Sequence, residues 1–491
     1  MFPWKSIIEI DKSCDCPIYL QIANAIALEI KRGRIGPGIK MPGSRQLSEI
    51  LAIHRKTIVR AYEELQAQGW IEMHPSQGTF TSKELPEVNP RKLSGRQTGV
   101  VSYPARTGYP VPVNTVIKAP SLSLRNITGF HDGPDPRLMP TEELAKAFRG
   151  VLLKKVNLRY TSYVQEQGVE RFRRILSDYL NASRGLKTSI ENIMITRGST
   201  MGLFFCVSIL FKKGDSVVVG DTSYYYADRA FLQAGMQLAR VKVDEQGIDV
   251  EAIEKLCRRK KISAVYITPH HHYPTTVTLS ASRRMSLLSL AEQYGFVIIE
   301  DDYDYDFHYL SAPILPMISA DTRGMVIYIG TLSKTVSPSI RTGYVIAPVN
   351  LIEEMARLRQ IVDTQGDPLM ELTLADMFQD GSIKRHMKKA NQEYHRRRDF
   401  ICSLLTQELT GKVDFKVPDG GLAIWAKFHS SIPLPTLSQK LKEKGVILSN
   451  GLIHNTTSTS LNAARLGFGW MSMKESEKAI EILAATIRSM R

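Results

Sequence analysis

The sequence predicts two structural units: a small N-terminal winged helix-turn-helix (residues 1–82) and a large α/β unit (residues 127–491). Three observations lead to this fold class. First, 491 residues exceed what one core normally holds, since single folds rarely pass about 300 residues. Second, residues 83–126 contain six prolines, which disfavour regular helix and are typical of a semi-rigid linker. Third, amphipathic helical patterns alternate with short β-branched runs after this linker, which indicates a largely parallel sheet covered on both faces.

The composition indicates a folded protein with excess positive charge. Hydrophobic residues make up 43% of the chain and charged residues 23%, which argues against a disordered protein. The net charge of +15 favours polyanionic partners such as nucleic acid. However, residues 1–82 carry only +2, residues 83–125 carry +5 and the rest carry +8. A DNA-binding role must therefore be argued from residue pattern rather than from charge.

The cysteines and the apolar segments indicate the cellular compartment in which the protein is located. The five cysteines are scattered along the chain without C-x-x-C pairs, as expected of reduced thiols: Cys14, Cys16, Cys206, Cys257 and Cys402. No secretory leader pattern follows Met1, and the longest apolar run, residues 203–211, is far shorter than the ~20 residues that a membrane span needs. We therefore expect a cytoplasmic protein.

Three helices are predicted in the N-terminal unit. After Pro17 an isoleucine recurs at every fourth position, which places an apolar stripe on one helix: Ile18, Ile22, Ile26 and Ile30. Ser44 is predicted to N-cap a second, short helix, and a third helix is predicted from His54. Its predicted buried positions are Ile58, Tyr62 and Leu65. Two short helices joined by a tight turn at Ile53 make a helix-turn-helix.

The third helix carries polar donors on its outward side near its N-terminus. They suit phosphates and base edges in a DNA major groove: His54, Arg55, Lys56, Thr57 and Arg60. Two short β runs, residues 69–73 and 78–81, predict a hairpin, or wing, around a polar turn. From helical periodicity alone, a helical docking domain with a solvated basic face is an alternative interpretation.

Longer motifs favour DNA binding. Residues 41–47 (MPGSRQL), 55–65 (RKTIVRAYEEL), 69–71 (GWI) and 77–80 (QGTF) resemble the winged helix of the GntR family in motif, order and spacing. The resemblance implies DNA contacts from six residues: Arg45, Arg55, Lys56, Thr57 and, at the wing tip, Gln77 and Gly78. His54 departs from the family, which usually carries a small hydroxyl residue there, and this departure should affect base preference.

The main chemical motif of the large unit is residues 330–344 (GTLSKTVSPSIRTGY). Lys334 stands among hydroxyl residues, and Arg341 follows seven positions later. A lysine can bond the carbon of an aldehyde, while hydroxyl and guanidinium groups supply the donors that a phosphate needs. Alone, this stretch is also compatible with a polar surface loop that exposes a lysine.

An acidic cluster supports a cofactor site. Residues 300–303 (EDDY) follow a predicted buried strand, at the edge where open α/β sheets bind ligands. A carboxylate there can keep a pyridine nitrogen protonated, and a tyrosine hydroxyl two residues on can reach a ring phenolate. Taken by itself, such a cluster more often binds a metal or caps the next helix.

Two further motifs fit an anionic, aromatic ligand. Residues 193–200 (IMITRGST) place Ser199 and Thr200 at a predicted helix N-terminus, which is a typical anion site. A tyrosine within residues 224–226, which follow another β run, can stack on an aromatic ring. Core packing is the alternative role for at least two of these three tyrosines.

Together, these motifs resemble a fold-type I pyridoxal 5'-phosphate (PLP) aminotransferase over about three-quarters of the chain. The implied fold of the large unit is therefore an α/β fold-type I PLP-dependent aminotransferase-like domain. The resemblance implies Lys334 as the lysine of the internal aldimine, Asp301 as the partner of the pyridine nitrogen and Tyr303 on the phenolate oxygen. It implies Tyr224 as the stacking ring. The implied phosphate site consists of Ser199, Thr200, Thr331, Ser333 and Arg341.

Two loops depart from the aminotransferase pattern. Where these enzymes usually carry Asn-Pro-Thr-Gly, residues 273–276 are Tyr-Pro-Thr-Thr, so a partner of the phenolate oxygen is lost. The loop that often reads Tyr-x-Asp-Pro-x-Gly keeps only Tyr160 and Gly168. Three histidines occupy residues 270–272, but consecutive side chains of a regular strand cannot converge on one ion. We therefore expect no metal site.

A GntR-like winged helix linked to an aminotransferase-like domain resembles the layout of MocR-type transcriptional regulators. The resemblance implies a PLP-dependent regulator that binds a double-stranded DNA operator and senses an amino compound, or PLP itself, by aldimine chemistry at Lys334. It also implies a homodimer with exchanged domains. Effector specificity is expected from Tyr226, His271 and Arg465, with Arg465 as the clamp for a substrate carboxylate.

Other interpretations stay open. The retained Lys334, Asp301 and Tyr303 permit a working aminotransferase with a fused DNA-binding domain, although the altered loops argue against efficient turnover. The large unit is alternatively only a scaffold of a DNA-binding protein. The densest basic run is either a solvated surface helix or an extension of the DNA path: Lys384, Arg385, Lys388, Lys389, Arg396, Arg397 and Arg398.

Overall fold

The computed structural model describes residues 2–11, 16–83, 106–111, 128–163, 165–309, 314–456 and 461–490. The chain divides into two compact units, Met1–Val111 and Pro112–Arg491. Most of the predicted linker, residues 83–126, and Cys14 lie outside the described residues, so the linker and its boundaries stay a prediction. Cys206, Cys257 and Cys402 are free thiols.

Within its described residues, the first unit contains four helices and one hairpin. The helices are α1 (Trp4–Ile7), α2 (Ile18–Lys31), α3 (Ser44–Leu51) and α4 (Arg55–Ala67), and the strands are β1 (Ile71–His74) and β2 (Gly78–Thr81). Strands β1 and β2 pair antiparallel, with Ile71 opposite Thr81. One apolar core joins α2 to α4, because the predicted inward positions are buried: Ile22, Ile26, Ile30, Ile58, Tyr62 and Leu65. The predicted winged helix is thus confirmed.

The predicted N-cap of the short helix is wrong by one residue. Gly43 has the extended backbone of an N-cap, with φ −62° and ψ 155°, and Ser44 is already helical. The Ser44 hydroxyl instead accepts a hydrogen bond of 3.3 Å from Nε of Arg55. Ala52 then adopts a left-handed conformation, with φ 53°, and this ends α3 at the tight turn into α4.

The large unit is built from eleven helices and twelve strands within its described ranges. The helices are α5 (Thr141–Leu153), α6 (Glu170–Arg184), α7 (Ser199–Leu210), α8 (Tyr225–Gln233), α9 (Val250–Cys257), α10 (Ala281–Tyr294), α11 (Val349–Val362), α12 (Pro368–Gln379), α13 (Ser382–Leu409), α14 (Leu434–Glu443) and α15 (Met473–Arg488). The strands are β3 (Ile193–Thr196), β4 (Ser216–Gly220), β5 (Gln237–Val241), β6 (Val243–Asp244), β7 (Gly247–Ile248), β8 (Ala264–Ile267), β9 (Val297–Asp302), β10 (Val326–Thr331), β11 (Gly343–Ile346), β12 (Val413–Phe415), β13 (Ala423–Phe428) and β14 (Ala463–Gly467).

A seven-stranded sheet forms the centre of this unit, in the order β3-β11-β10-β9-β8-β4-β5. Strands β10, β9, β8, β4 and β5 are parallel, as predicted. Strand β11 runs antiparallel to both of its neighbours. The connection between β10 and β11 carries Lys334 and is too short for the helical crossover that parallel neighbours require. The sheet is therefore mixed.

Helices cover both faces of the sheet because successive strand residues point to opposite sides. Val217 and Val219 of β4 pack with residues of α7, α8 and α11, whereas Val218 packs with residues of α9 and α10. A second, antiparallel sheet, β12-β13-β14, packs with α13, α14 and α15. No helix in the described ranges is both long enough and apolar enough to cross a membrane.

Candidate functional site

The predicted DNA-binding residues lie on the surface of the first unit. Arg45, His54, Arg55, Lys56 and Arg60 are exposed, and Thr57 is half-buried. The lysine and the three arginines of this set form no ion pair with a described acidic residue, so their charges are available to phosphates. Gln77 and Gly78 are exposed where the hairpin turns.

His54 has a structural task at the start of α4. It is the N-cap residue, and its Nδ1 accepts a hydrogen bond of 3.3 Å from the backbone N–H of Lys56. A small hydroxyl residue can satisfy the same free N–H, so the histidine keeps the capping role. Because Nδ1 accepts this hydrogen bond, Nε2 is the ring nitrogen that remains available for the predicted DNA contact.

The large unit contains a cavity of about 300 Å³ at the edge of the main sheet, near the ends of β9 and β10. All nine residues predicted to hold a cofactor line it: Ser199, Thr200, Tyr224, Asp301, Tyr303, Thr331, Ser333, Lys334 and Arg341. They come from four separate chain segments. They meet because parallel strands end at one edge of the sheet, where the following loops converge.

Asp301 is the member of the acidic cluster that faces the cavity. Its Oδ2 accepts a hydrogen bond of 2.8 Å from the hydroxyl of Tyr266, while Oδ1 is buried without a partner among the described residues. Burial raises the pKa of Asp301 to about 7. A buried, unsatisfied acceptor of this kind suits a ligand that brings its own N–H donor.

The neighbouring acidic residues point the other way, as alternation along a strand requires. Glu300 accepts hydrogen bonds from the backbone N–H groups of Met317 and Ile318, at 2.8 and 3.1 Å. Asp302 accepts from the Tyr328 hydroxyl at 2.6 Å. Because these carboxylates diverge, the cluster does not form a cation site, and no potential metal-binding group of three or more residues occurs in the described ranges.

The side chains of Lys334 and Tyr303 are each held by a hydrogen bond to a backbone oxygen. Nζ of Lys334 donates a hydrogen bond of 2.8 Å to the backbone oxygen of Asp132. The Tyr303 hydroxyl donates to the backbone oxygen of His271 at 2.9 Å and accepts from Nη2 of Arg465 at 3.3 Å. Burial raises the pKa of Tyr303, so its hydroxyl stays protonated and serves as a donor at neutral pH.

One end of the cavity has the features of an anion site. Ser199 and Thr200 occupy the first turn of α7, whose N-terminal N–H groups favour a negative charge. Gly198 precedes them with φ +79°, and a Cβ there would lie 2.9 Å from Nη2 of Arg341. The absence of a side chain at Gly198 leaves room for the Arg341 guanidinium beside this helix end. The hydroxyl of Ser333 is buried without a partner among the described residues.

The three predicted effector residues are not brought together. Tyr226 lines the cavity, but His271 and Arg465 are not among the described residues that do so. Nδ1 of His271 is 2.8 Å from Oδ1 of Asp304, and a Cβ on Gly420 would lie 2.5 Å from its Nε2. His271 is thus packed inside the protein. Arg465 is also buried, behind Asp132.

Asp132 and Tyr273 are among the residues of the cavity wall that sequence reasoning missed. Asp132 directly precedes the Gly133-Pro134 pair, which also lines the cavity. Tyr273 replaces the usual asparagine, and its ring meets that of Tyr224 edge-on, with centroids 5.0 Å apart. The substituted loop therefore still reaches the site.

The basic run divides into two groups on α13. Lys384, Arg385, Lys388, Lys389 and Arg396 are exposed. Arg397 and Arg398 are buried, and Arg397 donates 2.9 Å hydrogen bonds to carboxylates of Asp135 and Glu393. A surface for DNA could therefore include only the exposed group, because the two buried arginines hold the fold together.

Comparison with known proteins gives two family matches. Residues 133–483 match the family described as aminotransferase class I and II, and residues 18–81 match the gntR family of bacterial regulatory proteins. The chain is 27% identical to the uncharacterized HTH-type transcriptional regulator YdfD of Bacillus subtilis, over 96% of this chain and 97% of that protein. It is 24% identical to the probable rhizopine catabolism regulatory protein MocR of Rhizobium meliloti, over 99% and 96%.

Solved structures show the same fold in the large unit. A crystal structure of Pyrococcus horikoshii kynurenine aminotransferase, in complex with PMP, matches with a TM-score of 0.70 and 26% identity. The match covers 74% of this chain and 92% of that chain.

Proposed function

Because the chain belongs to the aminotransferase class I and II family and carries a gntR-family region, we propose that it is a transcriptional regulator that binds PLP at Lys334. Its effector is an amino compound that replaces that lysine on the bound cofactor, or PLP itself. The observation that carries this proposal is the cavity in which Lys334 and eight further expected cofactor residues meet. The regulatory partner is double-stranded DNA, bound through the exposed donors of α4 and the wing.

The residues present fit PLP. When bound, PLP supplies an aldehyde that reacts with primary amines and a ring that withdraws electrons. The unpartnered Oδ1 of Asp301 would accept the N–H of a protonated ring nitrogen, and the ring of Tyr224 would stack on the cofactor. The phosphate would be held at the N-terminus of α7, with donors from Ser199, Thr200, Thr331, Ser333 and Arg341.

Covalent labelling tests this proposal directly. Full-length protein would be incubated with PLP, reduced with borohydride and analysed by intact mass and peptide mapping. We expect one cofactor per chain on the peptide that contains Lys334, and none in Lys334→Ala. Lys389→Ala removes an exposed lysine of α13 and should label like the wild type. Labelling that persists in Lys334→Ala at the wild-type level would contradict the proposal.

The regulatory part of the proposal needs a second measurement. Full-length protein loaded with PLP but not reduced, and Lys334→Ala treated in the same way, would be compared for binding to the DNA upstream of the chain's own gene, with and without a panel of amino compounds. We expect at least one compound to shift DNA affinity in the wild type only. If every compound acted equally on Lys334→Ala, the large unit would be a scaffold rather than a sensor.

A homodimer is part of the same proposal. Five apolar side chains within residues 152–163 are half or more exposed, which is unusual for a monomer: Leu152, Leu153, Val156, Leu158 and Tyr163. Light scattering should give a dimer, and Val156→Asp should shift it toward monomer. The matched control is Met285→Asp, at an exposed position of α10, which should stay dimeric. A monomeric wild type would overturn the dimer.

One observation favours a second function, a working aminotransferase with a DNA-binding region. Lys334, Asp301 and Tyr303, which that chemistry requires, all line the cavity. Steady-state assays with a panel of amino donors and keto acids separate the two functions. Sustained turnover would support the enzyme, whereas a single exchange without turnover would support the regulator.

A further inference from the structure

We propose that Asp132 determines which class of ligand the cavity accepts: it occupies Arg465 and so selects amines that lack a carboxylate. This inference rests on the proposed function, since it takes the cavity to be the amine-binding site. It replaces the expectation that Arg465 is free to clamp the carboxylate of an amino acid.

Each nitrogen of the Arg465 guanidinium already donates one hydrogen bond within the protein. Its Nε donates to Oδ2 of Asp132 at 3.0 Å, Nη1 to the backbone oxygen of Pro274 at 3.2 Å and Nη2 to the hydroxyl of Tyr303 at 3.3 Å. Its side chain is 6% exposed, whereas that of Asp132 is 35% exposed and lines the cavity. An entering ligand therefore meets the carboxylate of Asp132 before it meets Arg465.

The backbone around Asp132 is held on both sides, so this arrangement is part of the fold. Before Asp132, the backbone N–H of Phe130 donates a hydrogen bond of 3.0 Å to the backbone oxygen of Ile447. After it, the carboxylate of Asp135 accepts from Arg397 at 2.9 Å. A Cβ on Gly467, two residues after Arg465 on β14, would lie 1.9 Å from the backbone oxygen of His131. The glycine lets the Asp132 segment lie directly against the strand that carries Arg465.

Asp132 is charged at neutral pH. Burial works against its ionisation, but the charges of Lys334 and Arg465 lower its pKa to about 2. A ligand with a carboxylate must break the Asp132–Arg465 pair and bring a second negative charge beside the first. An amine without a carboxylate leaves the pair intact. The site therefore discriminates by a repulsive group placed where an amino acid would put its own carboxylate.

The experiment compares ligand pairs that differ only by a carboxylate. Full-length protein loaded with PLP would be titrated with ethylamine and alanine, and with propylamine and γ-aminobutyrate, and followed by the absorbance of the bound cofactor. The variants are Asp132→Ser, which frees Arg465, and Asp132→Asn, which keeps the shape but removes the charge. Asp414→Asn, at an exposed position of β12, is the control. Comparing ratios between proteins cancels the different basicities of the amines.

We expect the amine to bind at least tenfold more tightly than its carboxylate partner in the wild type and in Asp414→Asn. In Asp132→Ser we expect the ratio of the affinity for the amine to the affinity for its carboxylate partner to fall at least tenfold. In Asp132→Asn we expect a smaller fall in the same ratio. Equal affinity for both members of a pair in the wild type would overturn the proposal. An unchanged ratio in both variants would overturn it as well.

A second measurement does not depend on the cofactor. Acetate is a carboxylate probe, and its effect on the melting temperature of cofactor-free protein reports whether Arg465 is accessible. Acetate should stabilise Asp132→Ser and leave the wild type unchanged, and equal stabilisation of both would overturn the role of Asp132. If PLP did not bind, the proposed function would fail, but this comparison would still decide whether Asp132 occupies Arg465.

Discussion

The hydroxyl of Tyr266 donates a 2.8 Å hydrogen bond to one oxygen of Asp301 and leaves the other oxygen buried without a partner among the described residues. The carboxyl group of Asp301 is thus fixed in orientation, but only one of its two oxygens accepts a hydrogen bond from a described residue. Its pKa, raised to about 7 by burial, shows the cost of keeping it there. Burial of this carboxyl group lowers the stability of the cofactor-free protein at the pH values where the group is ionised.

Replacing Asp301 with asparagine should stabilise the cofactor-free protein increasingly as the pH rises. A carboxyl whose folded pKa lies above its unfolded value of about 4 favours folding most at low pH, and this contribution is lost between about pH 4 and pH 7. The advantage of Asp301→Asn over the wild type should therefore grow by about 1.4 kcal/mol per pH unit across that range.

Urea unfolding of both proteins at pH 5, 6 and 7 checks this, with exposed Asp419→Asn as the control. A stability difference that did not vary with pH would show that Asp301 is not protonated in the folded protein. The same variant should bind PLP more weakly, because its amide cannot neutralise a protonated ring nitrogen.

Gly198→Ala should weaken the anion site as well as the fold. Gly198 has φ +79° and ψ 169°, which only glycine adopts readily, and a Cβ would lie 2.9 Å from Nη2 of Arg341. We expect a loss of about 1–3 kcal/mol in stability and a lower affinity for PLP. Gly295→Ala is the matched control, since Gly295 has φ +70° but open space around it. Loss of stability alone, with unchanged PLP affinity, would argue against this role for Arg341.

Lys56→Ala should reduce the salt dependence of DNA binding. Lys56 is exposed in the first turn of α4, beside Arg55. Each phosphate contact adds about one to the slope of log affinity against log salt concentration, so the slope should fall by about one. Fluorescence anisotropy with a labelled duplex measures it. Lys5→Ala, on the exposed side of α1, should keep the wild-type slope, and equal slopes in all three proteins would contradict the assignment.

Arg397→Ala should destabilise the large unit by about 3–5 kcal/mol. The substitution removes one of the two arginines that pair with the buried carboxylate of Asp135, the other being Arg137. It also removes the 2.8 Å hydrogen bond to the backbone oxygen of Gly469. Lys389→Ala, eight positions earlier and exposed, should change stability by less than about 0.5 kcal/mol. Similar urea midpoints for the two variants would show that Arg397 is not structural. Tests of DNA binding by α13 should therefore use only its exposed lysines.

Much of the candidate site could be predicted because its residues belong to local motifs. Asp301 lies at the end of strand β9 and Lys334 follows strand β10, and parallel strands deliver their carboxyl ends to one edge of a sheet. The order of the strands was not needed for this inference. The antiparallel direction of β11 was missed, since it depends on the length of the connection from β10 and on the pairing available at that edge.

The sequence by itself determined the two units, the winged helix and nine of the residues that line the cavity, because periodicity and short motifs act over a few residues. Only the tertiary structure decided that Asp132 meets Arg465, 333 positions away, and that Arg397 and His271 are buried. A charged side chain looks the same in sequence whether it faces solvent or a buried partner. Its role is decided by long-range packing, which places the partner and excludes the water.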